Sequence, residues 1–446
     1  MPFTDDDLKN TLNNIFKEKG NITEIQVCEE KNLVASSSRG AIVVFDDGTK
    51  KNLHIKLCED GKTPGYLNAK LKIFDREEYF YKELLPLMIT FQEEENIPKS
   101  SNLNIESMFL PFHGSETIDG IGSLLVLDRF TPEEFFVTKP EDFHTLQQIH
   151  HCMNRIASFH ATSLAMKIKQ GINWKLYNPY LPDVLFHKDS LDVSKAYFSN
   201  IFASNVKILR AIKSEVQSRN KLVENCILSF NSMSLGVLER LELIVPKLPE
   251  ILSKTLECSS DLEIVTHGDF HMWNIAFSNQ GEMAAKFFDM QMMRTTSGLI
   301  DIHHLLSQVC TPATRNQHLH EFLNTYYRSL KQGCLDLGVS ESEIPYTRKT
   351  VDDEYILRSP WGFVFGFCFI LPRFISNQQL ASDFYSKLND FESSGAIVDW
   401  ISKNASPNIW SVLEMYVDMV QIDDDLGTLD IMEKLGEIDG EGLVLT

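Results

Sequence analysis

The sequence predicts an α+β fold in two lobes, a small β-rich one followed by a larger helical one. Three observations predict it. At 446 residues the chain exceeds what one compact core usually takes. Its first third alternates in short runs rich in Val and Ile, the period of half-buried strands. Beyond about residue 130 the apolar residues recur at the 3.6-residue period of amphipathic helices instead.

Residues 24–29, 41–45 and 53–57 read as strands, separated by turn chemistry at Ser36-Ser37-Ser38-Arg39-Gly40 and Asp46-Asp47-Gly48. Asp-Gly between two apolar runs marks a hairpin, because both residues accept the left-handed conformations of a tight turn. Residues 74–85 read as a helix, with Phe74, Glu77, Glu78, Tyr81, Leu84 and Leu85 at helical spacing and Pro86 closing the run. Residues 108–112 and 123–127 look like two further strands. A mostly antiparallel sheet with one helix therefore occupies roughly residues 20–130 of an N-terminal lobe over 1–130, and residues 128–138 form the joint to a helical lobe over 131–420. Helices are expected at 143–166, 193–230 and 234–255, in much of 299–337, and beyond Asp352. The acidic, glycine-dotted tail, 421–446, is expected to be loosely ordered.

Bulk properties narrow the function. A formal net charge of −20 argues against nucleic acid or an anionic membrane as partner, since both favour a basic face. The most apolar stretch, 361–371, spans about half of the ~20 residues that a membrane helix needs, and a buried core helix explains it better. The acidic start, Met-Pro-Phe-Thr-Asp-Asp-Asp, is the reverse of a secretory signal's basic and apolar regions. Eight cysteines are scattered without a CxxC pair, which suits reduced thiols in a cytoplasmic protein. Nothing points to an obligate protein partner.

The chemistry is concentrated between Ile264 and Asp289. Apolar arms at 275–277 and 283–288 flank the turn Ser278-Asn279-Gln280-Gly281-Glu282. If the arms pair as an antiparallel hairpin, Asn274 and Asp289 share its open end, and His267-Gly268-Asp269 enters there from the preceding strand. Two carboxylates ~4 Å apart in a partly buried cleft repel by roughly 4 kcal/mol at an effective dielectric of about 20, so they call for a proton, a basic partner or a cation. Two acids and an amide offer only oxygen, the donor set of Mg²⁺. Burying three such groups for stability alone would be costly.

His267-Gly-Asp-(x)₄-Asn274 followed by Phe288-Asp289-Met290-Gln291 resembles the HGDxxxxN…DxQ pattern of the CHK kinase-like, or ecdysteroid-kinase-like, family, related to aminoglycoside phosphotransferases and choline kinases. The resemblance runs from about residue 30 to 395. It implies a protein-kinase-like fold, ATP and Mg²⁺ as cofactors, and a small-molecule alcohol, ecdysteroid-like or otherwise hydroxylated, as phosphate acceptor. It implies Asp269 as catalytic base, and Asn274 and Asp289 as metal ligands. Lys56 resembles the strand lysine that contacts ATP phosphates, and Phe74-(x)₂-Glu77-(x)₃-Tyr81 the helix whose glutamate pairs with it. Ser36, Ser37 and Ser38 fall where the nucleotide loop is expected, and Leu127 and Asp128 where adenine binds. Asp301 resembles the aspartate that brace the catalytic loop, and His160 reads as a hydrogen-bonded core histidine. The chain departs from the pattern at Asp128-Arg129, where an acidic pair is common, at Met290, and at Phe270-His271-Met272-Trp273.

Two alternatives stand beside the kinase. Gly268-Asp269-Phe270-His271 also resembles the GDxH opening of metallophosphoesterases, with His303-His304 as nitrogen ligands, yet that family's GNH and GHxH segments are absent. A pseudokinase would keep nucleotide or ligand binding without turnover.

Overall fold

Thr4 starts helix α1 (Asp5–Phe16) with a capping box, its hydroxyl accepting from Asp7 N at 3.1 Å while Asp7 accepts from Thr4 N at 2.9 Å. Leu8, Leu12 and Phe16 then bury one helix face against Val43, Leu53, Ile55 and Val126 of a sheet. This computed structural model describes residues 3–18, 20–29, 37–62, 68–183, 185–186, 198–219, 236–375, 378–405 and 409–437.

The sheet has five antiparallel strands in the order β1 (Ile22–Glu29), β2 (Ser37–Phe45), β3 (Lys50–Glu59), β5 (Gly122–Asp128), β4 (Phe112–Ile118). The expected hairpin at Asp46-Asp47-Gly48 joins β2 to β3, with Gly48 at φ 82° and its N–H donated to Phe45 O at 3.0 Å. The fourth strand is displaced from its predicted place. Residues 108–110 are apolar because Met108 and Phe109 are buried beneath the sheet, and pairing with β5 begins only at Phe112.

Pro86 does not end its helix. Helix α2 (Ile73–Tyr79) runs through a π-turn (Phe80–Leu84) into α3 (Leu85–Glu94). Proline lacks an N–H and crowds the carbonyl four residues earlier. The wider turn just before it, in which Leu85 N donates to Phe80 O, relieves that crowding and lets the helix continue.

Past Asp128 the chain is mainly helical. Strand β6 (Phe135–Val137) is followed by α4 (Leu146–Gln170), α5 (Trp174–Tyr177), α6 (Asn200–Arg219), α7 (Val237–Ile244) and α8 (Leu248–Leu256). The helix expected over 193–230 is seen as α6, and the rest of that span lies outside the described residues. Pro246 and Pro249 divide the helix expected at 234–255 into α7 and α8. Then come β7 (Glu263–Thr266), β8 (Ile275–Ser278), β9 (Ala285–Phe287), β10 (Arg294–Ser297), α9 (Leu299–Val309), α10 (Pro312–Asp336), α11 (Arg348–Leu357) and α12 (Ser359–Phe374). Strands β6, β8 and β9 form one small sheet, and β7 pairs with β10.

Helix α12 carries the most apolar stretch and is buried along nearly its whole length. No single helix among the described residues is long and apolar enough to cross a membrane. Helices α13 (Gln378–Lys387), α14 (Ser394–Asn404), α15 (Ile409–Asp425) and α16 (Thr428–Glu437) complete the lobe. The acidic stretch from Gln421 is therefore helical as far as Glu437 rather than loose. Leu429 and Met432 are buried, and Arg240 on α7 gathers Asp424 at 2.8 Å, Asp430 at 2.5 Å and Glu433 at 2.7 Å.

Candidate active site

Strand β7 delivers His267-Gly268-Asp269 into the cleft between the sheet and the helices. Gly268 has φ 80°, and a Cβ there would lie 1.9 Å from Met292 O, so only glycine fits. Asp301, in the first turn of α9, is fully buried and accepts His267 N at 2.7 Å and Gly268 N at 2.8 Å. His160 Nε2 lies 3.1 Å from the same carboxylate, and its Nδ1 lies 3.0 Å from the Tyr326 hydroxyl. Burial alone would raise the Asp301 carboxyl, but the bond and charge of His160, the field of His267 and the loop amide outweigh it and hold the carboxyl below its ordinary range. His267 serves as a brace: Nε2–H donates to Phe288 O at 3.1 Å and Nδ1 accepts from Asp269 N at 3.3 Å. Burial keeps its imidazole below the usual pKa despite the carboxylates around it.

The hairpin of β8 and β9 pairs Ile275 with Phe287 and Phe277 with Ala285. One step outside that ladder, Phe288 N donates to Asn274 O at 3.2 Å, so Asn274 and Asp289 do share the open end. Asn274 Nδ2 donates to Asp269 O at 2.9 Å. Asp289 takes a left-handed conformation, φ 66°, which costs a non-glycine residue on the order of 1 kcal/mol. Two contacts hold it there: Lys56 Nζ at 2.6 Å from Oδ1, and Gln291 Nε2 donating to Oδ2 at 3.1 Å.

Lys56 reaches down from β3 and also pairs with Glu77 of α2, joining sheet, helix and hairpin in one ion cluster. Both of these side chains are buried. Burial works against the Lys56 ammonium, but the Asp289 and Glu77 carboxylates overcome it and raise its pKa. Burial pushes the Glu77 carboxyl up, with Lys56 opposing.

Asp269 is enclosed differently. His271 Nε2 lies 3.5 Å from one carboxylate oxygen and His304 Nε2 lies 3.7 Å from the other. Burial would raise this carboxyl, but His271, His304 and His267 hold it well below its ordinary range. Burial opposes the His271 cation, yet Asp269 wins and raises its pKa. Burial pushes His304 down to about 3, so it is neutral. The sequence reading gave neither histidine a part in the kinase site. His304 follows Asp301 by one helical turn on α9, an i,i+3 pairing that places both on the face toward the loop, and this was the available signal.

The other sequence-predicted residues that the structure describes lie in strands of the sheet. Ser37 and Ser38 belong to β2, not to a turn: they pair with Leu57 and Lys56 on β3, and the Ser37 hydroxyl donates to Glu59 at 3.2 Å. The strand extends this far because Ser37 and Ser38 keep their backbone register with β3, and the next residue, Arg39, pairs with Asp5 of α1 at 2.6 Å. Ser36 lies outside the described residues. Leu127 is buried and paired on both sides, with His54 of β3 and Phe112 of β4. Asp128 turns to His113 at 2.6 Å and Lys51 at 3.9 Å. The N–H of Asp128 is given to Pro111 O and that of Arg129 to Asn52 O, both at 2.9 Å.

An antiparallel sheet with one lysine-bound helix, set over a helical lobe that presents an Asp-Asn hairpin, defines the two-lobed, protein-kinase-like class. Within it, the chain belongs to the ecdysteroid kinase-like family, whose model matches residues 45–339, and this is a family of small-molecule kinases acting on hydroxyl groups. Solved structures similar to it include an amicoumacin kinase in complex with AMP-PNP, Ca²⁺ and its antibiotic (14% identity, 88% of this chain and 97% of that one, TM-score 0.39). A choline kinase from Streptococcus pneumoniae (9%, 92% and 99%, TM-score 0.36) and an ethanolamine kinase from Plasmodium vivax (8%, 89% and 89%, TM-score 0.39) are also similar. A search of curated proteins finds no match.

Proposed function

We propose that this protein is an ATP- and Mg²⁺-dependent kinase that transfers the γ-phosphate to an alcohol hydroxyl of a small molecule. The observation that carries the reading is the convergence of Asp269, Asn274 and Asp289 at the open end of the β8–β9 hairpin, with Lys56 and Glu77 joined to Asp289. Phosphoryl transfer needs this division: cationic contacts for the phosphates, oxygen ligands for a metal, and a carboxylate at the nucleophile.

Asp269 orients the acceptor hydroxyl and takes its proton as the new O–P bond forms and the bond from the γ-phosphorus to the bridging oxygen breaks, with ADP as the leaving group. A carboxylate held below its ordinary range serves chiefly to aim the hydroxyl, which suits the loose transition state of phosphoryl transfer. Lys56, steadied by Glu77, contacts phosphate oxygens. Asn274 and Asp289 fit a hard divalent cation, since the Asn274 amide nitrogen is spent on Asp269 O and only oxygens remain to offer. When bound there, Mg²⁺ supplies charge neutralisation on the phosphates.

The proposed acceptor is an ecdysteroid-like or other hydroxylated small molecule, a reading that the family supports. The stretch from about Asn178 to Thr255 is the proposed source of much of the acceptor pocket; of its aromatic residues, Phe186, Phe198 and Phe202 are buried in the helical core, and Tyr197 lies outside the described residues. The test is ATP consumption by purified protein with Mg²⁺ against sterol, phenolic, choline-like and aminoglycoside alcohols, with the product identified by mass. A phosphorylated product absent from an Asp269→Asn control supports the reading. Tight Mg²⁺-nucleotide binding with no product from a broad panel would favour a pseudokinase, and no nucleotide binding would sink both.

A further inference from the structure

Arg76 stands beside Glu77 on α2, and nothing above uses it. Its side chain is 1% exposed. Its guanidinium is spent on three main-chain carbonyls: Nη1 donates to Tyr180 O at 2.5 Å and to Met293 O at 2.8 Å, and Nη2 donates to Pro182 O at 2.7 Å. All three carbonyls belong to the helical lobe, whereas Arg76 belongs to the lobe above it. Met293 ends the turn that begins at Asp289, so the loop carrying Asp289 is the loop that Arg76 grips. Burial and the neighbouring Arg294 push the guanidinium down to about 10, so holding the cation here works against its solvation. Nε stays buried without a hydrogen-bond partner. Arginine presents several donors in a fixed planar fork, which suits holding carbonyls of two segments in one geometry.

Kinase-like folds commonly let the glutamate-bearing helix move against the lower lobe, and its position then acts as a switch. We infer that Arg76 is a positioning residue that pins α2 to the Asp289 loop, so that Lys56, Glu77 and Asp289 are aligned before any ligand arrives. The site is assembled in the ligand-free protein and needs no separate activating step. The alignment is a statement about the free chain; only its consequence for nucleotide affinity rests on the function proposed above.

Two arms test it on the full chain. In the first, hydrogen exchange read by mass spectrometry compares ligand-free wild type with Arg76→Met, which keeps the stem, and Arg76→Lys, which keeps the charge. Exchange over 73–79 and 290–293 is expected to quicken about tenfold in both variants while α4 and α10 keep their protection. Unchanged exchange over 73–79, or quickening spread through the whole chain, would overturn the inference. In the second arm, affinity for Mg²⁺-AMP-PNP is measured for Arg76→Met, Glu77→Gln and the double variant. Each single change is expected to weaken binding about tenfold, with the double no worse than the weaker single, because Arg76 acts through Glu77. An additive loss of about 100-fold would assign Arg76 to general stability instead and overturn the role. If wild type binds no AMP-PNP, the nucleotide reading falls, and the exchange arm still decides the position of α2.

Discussion

The two halves of the candidate site treat charge in opposite ways. On the sheet side, Lys56 closes on Glu77 and lies 2.6 Å from Asp289, with the Lys56 and Glu77 side chains 7% and 2% exposed. On the helical side, Asp269 keeps 21% exposure and stands 3.5 Å and 3.7 Å from its two histidines, at the outer limit of hydrogen bonding. The first half is satisfied by the protein itself. The second has an ionised oxygen pair with bonding capacity to spare. The difference teaches that one half of the site is closed by the protein's own charges and that the other is left open to a ligand, as the proposed division into a phosphate side and an acceptor side would have it.

The sharpest test of that contrast is Asp269→Asn. Turnover on an accepted alcohol is expected to fall about 10²–10⁴-fold, because a positioned carboxylate is lost at the reacting hydroxyl. Affinity for Mg²⁺-AMP-PNP, measured by calorimetry, should barely change. Unaltered turnover would remove Asp269 from the chemistry.

The paired half should respond in stability as well. Lys56→Met leaves Glu77 and Asp289 facing each other without a cation, and breaking a buried pair costs about 3–5 kcal/mol. The Glu77 carboxyl is already raised, so it takes up a proton and places the loss at the lower end. Urea midpoints read this directly, and a midpoint near that of wild type would mean the cluster is not held as the geometry indicates. Asp289→Ala should weaken nucleotide binding in Mg²⁺ by about 10- to 100-fold, or ~1.4–2.7 kcal/mol. Without a divalent cation the same change should matter much less, and equal losses in both conditions would take Asp289 out of any metal role.

The smallest effect is general. Burial pushes His144, His303 and His304 each down to about 3. An unfolded histidine takes up a proton below about pH 6.5, so the unfolded state binds more protons there and stability falls as pH drops. The loss between pH 7.5 and 5.5 should be on the order of 1 kcal/mol per histidine. His271 runs the other way: its raised pKa adds stability below about pH 6.5 that disappears as pH rises through the folded value. Denaturant melts of wild type and of His303→Asn across this range separate the contributions, and a flat profile would contradict the buried neutral state.

Much of the arrangement was legible because it is local. Asn274 and Asp289 meet through one hairpin whose turn is marked by Ser278-Asn279-Gln280-Gly281-Glu282, and pairing geometry does the rest. The lysine on β3 and the glutamate on α2 needed the family pattern, since neither is distinctive alone. Misreadings arose where a distant partner overruled a local preference. Ser37 and Ser38 look like a turn yet lie in β2, because they pair with Leu57 and Lys56 of β3. Pro86 looks like a stop, yet the π-turn ahead of it accommodates the ring. The acidic stretch after Gln421 looks unpartnered, yet Arg240 and a buried apolar face hold it as helix.

The sequence by itself therefore determined the order of the lobes, the hairpin and the three oxygen-bearing residues around it, since short-range periodicity and turn chemistry specify them. Only the tertiary structure decided what surrounds those residues: His304 against Asp269, Asp301 beneath the loop amides, and Arg76 across the lobes. Each of these contacts joins segments far apart in the chain, and such contacts follow from how the elements pack rather than from any residue's neighbours in sequence.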